Sequence, residues 1–104
     1  MELLRPFELH VSDATLDEVH RRIRTFPWHE MPSDGGWEYG ANLEYMNALC
    51  AYWLDGFDWR AQEAAINRHN HFIAEIDGID IHFMHEKGGG SNPMPLILSH
   101  GWPG

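Results

Sequence analysis

The spacing of apolar residues changes near residue 70, and this change constrains the fold more than any other feature of the chain. Before it, apolar residues recur at helical spacing; after it, they alternate with polar residues, which is typical of strands. The Asp77-Gly78 pair separates two alternating runs. Such a pair favours a tight hairpin because both of its residues must adopt positive φ. The pattern therefore predicts an α+β chain in which about three helices precede a β-hairpin.

The helices are expected over residues 15–25, 42–54 and 59–68. Ser12 or Asp13, Asn42 and Asp58 are suitable residues to cap their first turns. Gly56 follows the second helix and is expected in the left-handed conformation. Residues 7–11 alternate apolar and polar, which predicts a short strand or an extended arm. The hairpin strands are expected over residues 71–76 and 79–85.

The last ten residues combine an apolar run with a Gly/Pro turn. Residues 95–99 are mostly apolar, which predicts a buried strand whose neighbours lie outside these 104 residues. The turn that follows contains His100, Gly101, Trp102 and Pro103. It is interpreted either as a simple strand-ending turn or as a loop whose backbone stabilises a developing oxyanion. Pro103 has no N–H, so the donor in the second case is the Trp102 amide.

Charge and cysteine content limit which classes of binding partner and which cellular compartment are expected. The formal net charge is −9, which argues against nucleic acid and against anionic lipid, since both are bound by clustered Lys and Arg. Cys50 is the single cysteine, so no internal disulfide is expected and a reducing cytoplasm is the default. We expect no membrane anchor, because no apolar run approaches the roughly 20 residues of a membrane-spanning helix.

Several familiar chemical motifs are missing from the sequence. The eight histidines show no zinc-type spacing, and His82 and His85, three apart on a strand, do not share a face. Residues 88–90 are glycines without the Lys-Ser/Thr ending of a phosphate loop, and Ser99 is outside any Gly-x-Ser-x-Gly elbow. No carboxylate pair stands out for acid-base work. We therefore expect no metal and no cofactor.

A set of ordered motifs resembles a known family. They are Pro6-Phe7, Trp37-Glu38-Tyr39-Gly40, Tyr52-Trp53, Phe57-Asp58-Trp59-Arg60 with Gln62, Ile76-Asp77-Gly78 with Ile81-His82-Phe83, and His100-Gly101-Trp102-Pro103-Gly104. In this order they resemble the N-terminal region of microsomal-type epoxide hydrolases, within the α/β-hydrolase superfamily. The resemblance covers essentially the whole chain and implies that it ends after the oxyanion-loop motif.

The resemblance implies a reaction and a place for this chain in it. Epoxides are converted to vicinal diols through an Asp-ester intermediate, with the Asp nucleophile, the His base and two cap-domain tyrosines beyond Gly104. No catalytic side chain is then present here, and the one site group is the backbone N–H of Trp102 in the oxyanion hole. The chain is expected to be inactive alone.

The same resemblance implies a division of the chain and its partners. Residues 1–70 are expected to wrap the hydrolase, and residues 71–104 to supply the first strands of its core and the oxyanion loop. The partners are the rest of the core, the cap domain and a small apolar epoxide. Two alternatives remain open: a stand-alone, non-catalytic interaction module, and the front part of a haloalkane dehalogenase or an esterase.

Overall fold

Helices occupy the middle of the chain and strands its two ends. The structure is a computed structural model that describes residues 4–29 and 36–103. Its elements, in chain order, are β1 (Leu4–Phe7), α1 (Asp13–Thr25), α2 (Leu43–Asp55), α3 (Trp59–Ile66), β2 (His71–Ile76) and β3 (Ile79–Met84). Three helices and an antiparallel sheet confirm the predicted α+β class.

The chain divides into two units, which are considered separately. One unit combines residues 1–8 with residues 67–104 and holds the three strands; the other is residues 9–66 and holds the three helices. The first strand therefore belongs to the same unit as the hairpin, although some 60 residues of sequence lie between them.

Each predicted helix begins at its predicted cap. The side chains of Ser12, Asn42 and Asp58 each accept a hydrogen bond from the backbone N–H three residues further on. These bonds satisfy N–H groups that have no partner within the first helical turn. The third helix ends at Ile66, two residues before the predicted end.

Gly56 corrects one sequence prediction. Its φ is −114°, so it is right-handed and not left-handed as expected. Its N–H donates to the carbonyl oxygen of Tyr52 at 2.7 Å. A Cβ at this position would lie 2.7 Å from the Tyr52 ring. Glycine therefore suits this position because the ring approaches the backbone closely, and not because of a positive φ.

The strands form one antiparallel sheet in the order β1-β2-β3. Asp77 and Gly78 have φ values of 52° and 80°, which confirms the predicted hairpin turn. The strand expected over residues 7–11 is instead Leu4–Phe7, which pairs with β2. This pairing joins distant parts of the sequence, and local alternation does not report it.

The register gives the sheet one apolar and one polar face. Phe72 lies opposite Phe83 on β3 and Pro6 on β1, and successive residues of a strand point to opposite faces. The apolar face therefore carries Leu4, Pro6, Phe72, Ala74, Ile76, Ile79, Ile81 and Phe83. The polar face carries Arg5, Phe7, His71, Ile73, Glu75, Asp80, His82 and Met84.

The strand expected over residues 95–99 does not form in this chain. The structure assigns no strand there, and the apolar side chains are exposed, with Ile97 at 92%. A strand is stabilised by a neighbour that pairs with its N–H and C=O groups. Among the described residues no strand pairs with this segment, so the burial and the pairing expected from its composition are both absent.

Apolar side chains remain largely uncovered. Among the described residues no hydrophobic side chain is buried, and Cys50 is half-buried. Between α1 and α2, Trp28 packs edge-on against Phe26, and Trp37 lies 5.2 Å from the ring of Tyr45. Residues 30–35, which fall between these two tryptophans, lie outside the described residues. Within the described ranges, no helix has the length and apolar character needed to cross a membrane.

Candidate functional site

The predicted oxyanion turn is an exposed loop. Trp102 is 96% exposed, and the Trp102–Pro103 peptide bond is cis. The His100 ring donates from Nδ1 to the Gly101 carbonyl oxygen at 2.9 Å. Within residues 4–29 and 36–103, the Trp102 N–H has no hydrogen-bond partner. Gly104, the last residue of the predicted motif, lies outside the described residues.

The backbone N–H of Trp102 is the group in this turn that is available to donate a hydrogen bond. Pro103 contributes no N–H, so Trp102 is the donor closest to the end of the described chain. An N–H aimed at a developing negative charge stabilises it without needing to reorganise. The turn can therefore serve an acyl-transfer site as one hydrogen-bond donor.

A buried carboxylate connects the start of α1 to α3. Glu63 is 6% exposed and accepts hydrogen bonds from the Val11 N–H at 2.7 Å, from Arg60 Nη1 at 2.7 Å and from Trp59 Nε1 at 3.2 Å. Arg60 also donates to the Val11 carbonyl oxygen at 2.8 Å and to Asp13. These bonds fix the residues just before α1 against one side of α3.

The electrostatics of this network indicate a structural role. The hydrogen bond from the Val11 N–H, supported by Arg60 and Trp59, lowers the pKa of Glu63 below its ordinary value of 4.5, although burial opposes the shift. The hydrogen bonds to Asp13 and Glu63 raise the pKa of Arg60. A general acid or base needs a pKa near the operating pH. A carboxylate whose pKa is lowered in this way is suited to holding the fold and not to moving protons.

Sequence reasoning singled out Arg60 and missed Glu63. The helical spacing indicates the contact between these side chains, because residues three and four apart on a helix lie on the same face. Glu63 follows Trp59 by four residues and Arg60 by three, so a carboxylate there is placed to contact both.

Two histidines meet on the polar face of the sheet. Nδ1 of His71 lies 3.0 Å from Nε2 of His82, the ring planes differ by 15°, and the centroids are 5.2 Å apart. Phe7 packs edge-on against the His82 ring at 5.0 Å. Near-coplanar rings with two nitrogens this close form a head-on N–H···N hydrogen bond. His71 is buried to 6% exposure, while His82 is exposed.

The hairpin register would have revealed this pair. Counting back along both strands from the Ile76–Ile79 pair places His82 opposite Ile73, two residues from His71 and on the same face. Diagonal neighbours of this kind remain within reach of aromatic side chains. The sequence prediction paired His82 only with His85, on the same strand, and left out His71 on the neighbouring strand.

The geometry of the pair is that of a hydrogen bond and not of metal chelation. A zinc ion lies about 2.0–2.1 Å from each imidazole nitrogen that binds it. On a head-on axis the two nitrogens would have to be separated by twice that distance, which exceeds the 3.0 Å between Nδ1 of His71 and Nε2 of His82. His69 is engaged elsewhere, with its Nδ1 3.4 Å from the Glu86 carboxylate. No group of three or more His, Cys, Asp or Glu residues suited to a metal occurs in the described part of the chain.

An apolar groove of about 620 Å³ lies within residues 9–66. It is lined by Val11, Thr15, Leu16, Val19, His20, Leu49, Tyr52, Trp53, Phe57 and Trp59. This lining offers aliphatic and aromatic contact area and no paired acid and base. The groove is therefore suited to packing against an apolar surface, and proton transfer has no evident basis in it.

The comparisons with known proteins agree with the predicted resemblance. Residues 4–104 match the family described as "Epoxide hydrolase N terminus". The chain is 38% identical over 107 aligned residues to epoxide hydrolase 1 of Sus scrofa, which covers 99% of this chain and 24% of that protein.

Solved structures show the same relationship. The juvenile hormone epoxide hydrolase of the silkworm Bombyx mori aligns with a TM-score of 0.72 at 29% identity, over 78% of this chain and 19% of that chain. The Aspergillus niger epoxide hydrolase aligns with a TM-score of 0.69 at 30% identity, over 77% and 22%. These neighbours are α/β hydrolases.

This chain spans about a quarter of the length of the curated relatives that it matches. The family match extends over nearly the whole chain and includes the oxyanion-turn residues described above. The chain therefore belongs to the epoxide hydrolase N-terminus family.

Proposed function

We propose that this chain is the N-terminal part of an epoxide hydrolase that converts epoxides to vicinal diols. The observation that carries the proposal is the family match over residues 4–104, together with relatives that are themselves epoxide hydrolases. The chain corresponds to about a quarter of those relatives. The nucleophile, the base and the acid of the reaction then belong to the remaining sequence of such an enzyme.

The proposed reaction proceeds through an ester. An Asp carboxylate attacks an epoxide carbon, the carbon–oxygen bond of the ring breaks, and the released oxygen takes a proton from the cap tyrosines. Water, deprotonated by a His, then attacks the ester carbonyl, and the diol leaves as the carboxylate is restored. Negative charge develops on the carbonyl oxygen in this second step, which is where a backbone donor acts.

We assign that donor to the backbone N–H of Trp102. Two observations support the assignment. The N–H has no partner within residues 4–29 and 36–103, and the next residue, Pro103, has no N–H to compete for the same position. His100 and Gly101 complete the turn and contribute no side-chain catalyst.

The rest of the chain acts as scaffold in this proposal. Residues 1–70 wrap the hydrolase, and residues 71–104 begin its core. Exposed apolar surface on the sheet and along residues 95–99 supports this role, since contiguous apolar patches mark interaction surfaces. The partners are the rest of the core, the cap domain and a small apolar epoxide. The lone thiol of Cys50 is consistent with a reducing cytoplasm.

Substrate selectivity tests the proposed reaction. A protein in which this chain is followed by the remaining hydrolase sequence should convert styrene oxide to its diol. It should release little chloride from a chloroalkane and little nitrophenol from nitrophenyl acetate, with heat-denatured protein as the control. Faster turnover of the chloroalkane or the ester would assign the chain to a dehalogenase or an esterase. No turnover of any of the three substrates would support a non-catalytic module.

A further inference from the structure

We propose that Gly88 is a positioning residue for the backbone N–H of Trp102. The inference rests on the proposed function, in which that N–H stabilises the oxyanion. Gly88 lies between the end of β3 at Met84 and the turn that holds Trp102. The chain reaches the turn through this loop, so the path of the loop affects where the N–H lies.

The chain turns back on itself closely at Gly88. A Cβ on this residue would lie 2.5 Å from Cβ of Pro93 and 3.4 Å from its Cγ. Two carbon atoms pack best at about 3.5–4.0 Å, so a side chain at position 88 would push the two segments apart by about 1 Å. The proline ring cannot turn away, because it is closed onto its own backbone. Glycine therefore permits an approach that any other residue would prevent.

The two glycines that follow do not share this constraint. A Cβ on Gly89 would meet no atom within 4 Å, and its backbone lies outside the left-handed region. Gly90 has a φ of 85°, so its backbone conformation favours glycine. Within residues 88–90, Gly88 is thus the one that needs to be glycine for lack of space.

The chain just before Gly88 is held to the sheet. The Glu86 carboxylate accepts hydrogen bonds from the backbone N–H and the side-chain amide of Asn70, both at 2.9 Å. The His85 N–H donates to the Asn70 carbonyl oxygen at 3.0 Å. The hydrogen bonds from Asn70, with one from His69, lower the pKa of Glu86 below 4.5, so its carboxylate is charged at neutral pH. A displacement at Gly88 is therefore passed on toward residue 95 more readily than back into the hairpin.

An oxyanion donor tolerates little displacement. Such donors act at about 2.7–3.1 Å from the oxygen that carries the charge, and a misplacement of about 1 Å can cost roughly 100-fold in rate. A side chain at position 88 requires a displacement of the same size. The loop lies outside the helices and strands, so it can move without unfolding the sheet. Substitution at Gly88 is therefore expected to slow the reaction and to leave the fold intact.

Gly88→Ala and Gly89→Ala form a matched pair in a protein that carries the complete hydrolase sequence. Both add one methyl group to the same loop, but only the first meets Pro93. In single-turnover kinetics with styrene oxide, Gly88→Ala should lower the rate constant of ester hydrolysis roughly 10–100-fold. Ester formation should stay within about threefold, because the donor acts after the ester has formed. Gly89→Ala should leave both rate constants within about threefold. Equal losses in the two variants, or no loss in Gly88→Ala, would overturn the proposal.

Removing the Trp102 N–H separates positioning from a general effect of the loop. In a protein whose Trp102 N–H is replaced by an ester oxygen, no donor remains to be misplaced, so Gly88→Ala should cause no further loss. An undiminished loss in that background would overturn this inference alone. Full activity of the ester-substituted protein, or no diol from the parent protein, would instead overturn the proposed function on which the inference rests.

Crystal structures of the longer protein give a readout that does not depend on activity. With β2 and β3 superposed, the Trp102 nitrogen should move by about 0.5 Å or more in Gly88→Ala and by less than about 0.2 Å in Gly89→Ala. The midpoint of thermal unfolding should change by less than about 2 °C in both variants. An unmoved nitrogen in Gly88→Ala, or a midpoint lowered by more than about 5 °C, would contradict the assignment of Gly88 to positioning.

Discussion

Replacing the Trp102 amide with an ester is expected to lower kcat for epoxide hydrolysis by roughly 10²–10³-fold in a protein that carries the complete hydrolase sequence. The change removes one N–H donor and leaves the indole side chain in place. In the proposed mechanism the donor stabilises charge on the carbonyl oxygen while the alkyl-enzyme ester is hydrolysed, so that step should slow and the ester should accumulate. Single-turnover kinetics with mass spectrometry of the intact protein would show both effects.

Trp102→Ala is the matched control for this prediction. It removes the indole, which is exposed in this structure, and keeps the backbone N–H. Its kcat should stay within about tenfold of the wild type, because the oxyanion donor is retained. If the alanine variant loses as much activity as the ester variant, the side chain carries the function. If the ester variant is fully active, Trp102 is not a donor.

Glu63→Gln is expected to lower the midpoint of thermal unfolding of the helical unit by roughly 5–10 °C. The carboxylate accepts from Val11, Trp59 and Arg60. An amide can direct only one oxygen toward these donors, so at least one buried N–H loses its acceptor. Circular dichroism at helical wavelengths, followed with temperature at pH 7, would measure the change.

The pH dependence of this effect has a definite sign. The folded-state pKa of Glu63 lies below its ordinary value of 4.5. Its stabilising contribution is therefore fully present above that value and is lost as the pH falls through the folded-state pKa. The difference in midpoint between wild type and Glu63→Gln should shrink between pH 7 and pH 3. A difference that grows on acidification would contradict the network described for Glu63.

Glu18→Gln is the control on an exposed carboxylate. Side-chain hydrogen bonds from Arg21 and Arg22 lower the pKa of Glu18 to about 2. Its side chain is nevertheless 42% exposed, so solvent and salt screen these ion pairs. The midpoint should change by less than about 2 °C. A larger effect at Glu18 than at Glu63 would show that burial does not determine the cost.

Locally determined features of the fold could be predicted from the sequence. The caps at Ser12, Asn42 and Asp58 satisfy N–H groups only three residues away, so the decisive contact lies within a short segment. The Asp77-Gly78 turn is equally local, since the two residues themselves must accept positive φ. Both kinds of prediction were confirmed.

Features that depend on distant contacts could not be predicted in the same way. β1 forms where it pairs with β2, and not where its own alternation is strongest. Residues 95–99 have the composition of a buried strand but have no pairing strand among the described residues. Gly56 was assigned a role by its place after a helix, whereas the approach of the Tyr52 ring accounts for it.

The candidate site was only partly accessible from sequence. The ordered motifs predicted the family, which the match over residues 4–104 confirms. The role of Trp102 stays a prediction, because no contact of its N–H with a developing oxyanion is present among the described residues. The Glu63 network and the His71–His82 pair were missed because each needs a spacing on one helix or a register across two strands to be considered.

Diol formation by the 104-residue chain is the most direct test of its proposed place in the enzyme. The chain alone and a protein carrying the complete hydrolase sequence would be incubated at equal concentration with styrene oxide, and the diol measured by chromatography against a no-protein control. We expect diol from the longer protein and none above the control from the chain alone. Diol produced by the purified chain alone would contradict the proposal that the nucleophile and base lie outside it.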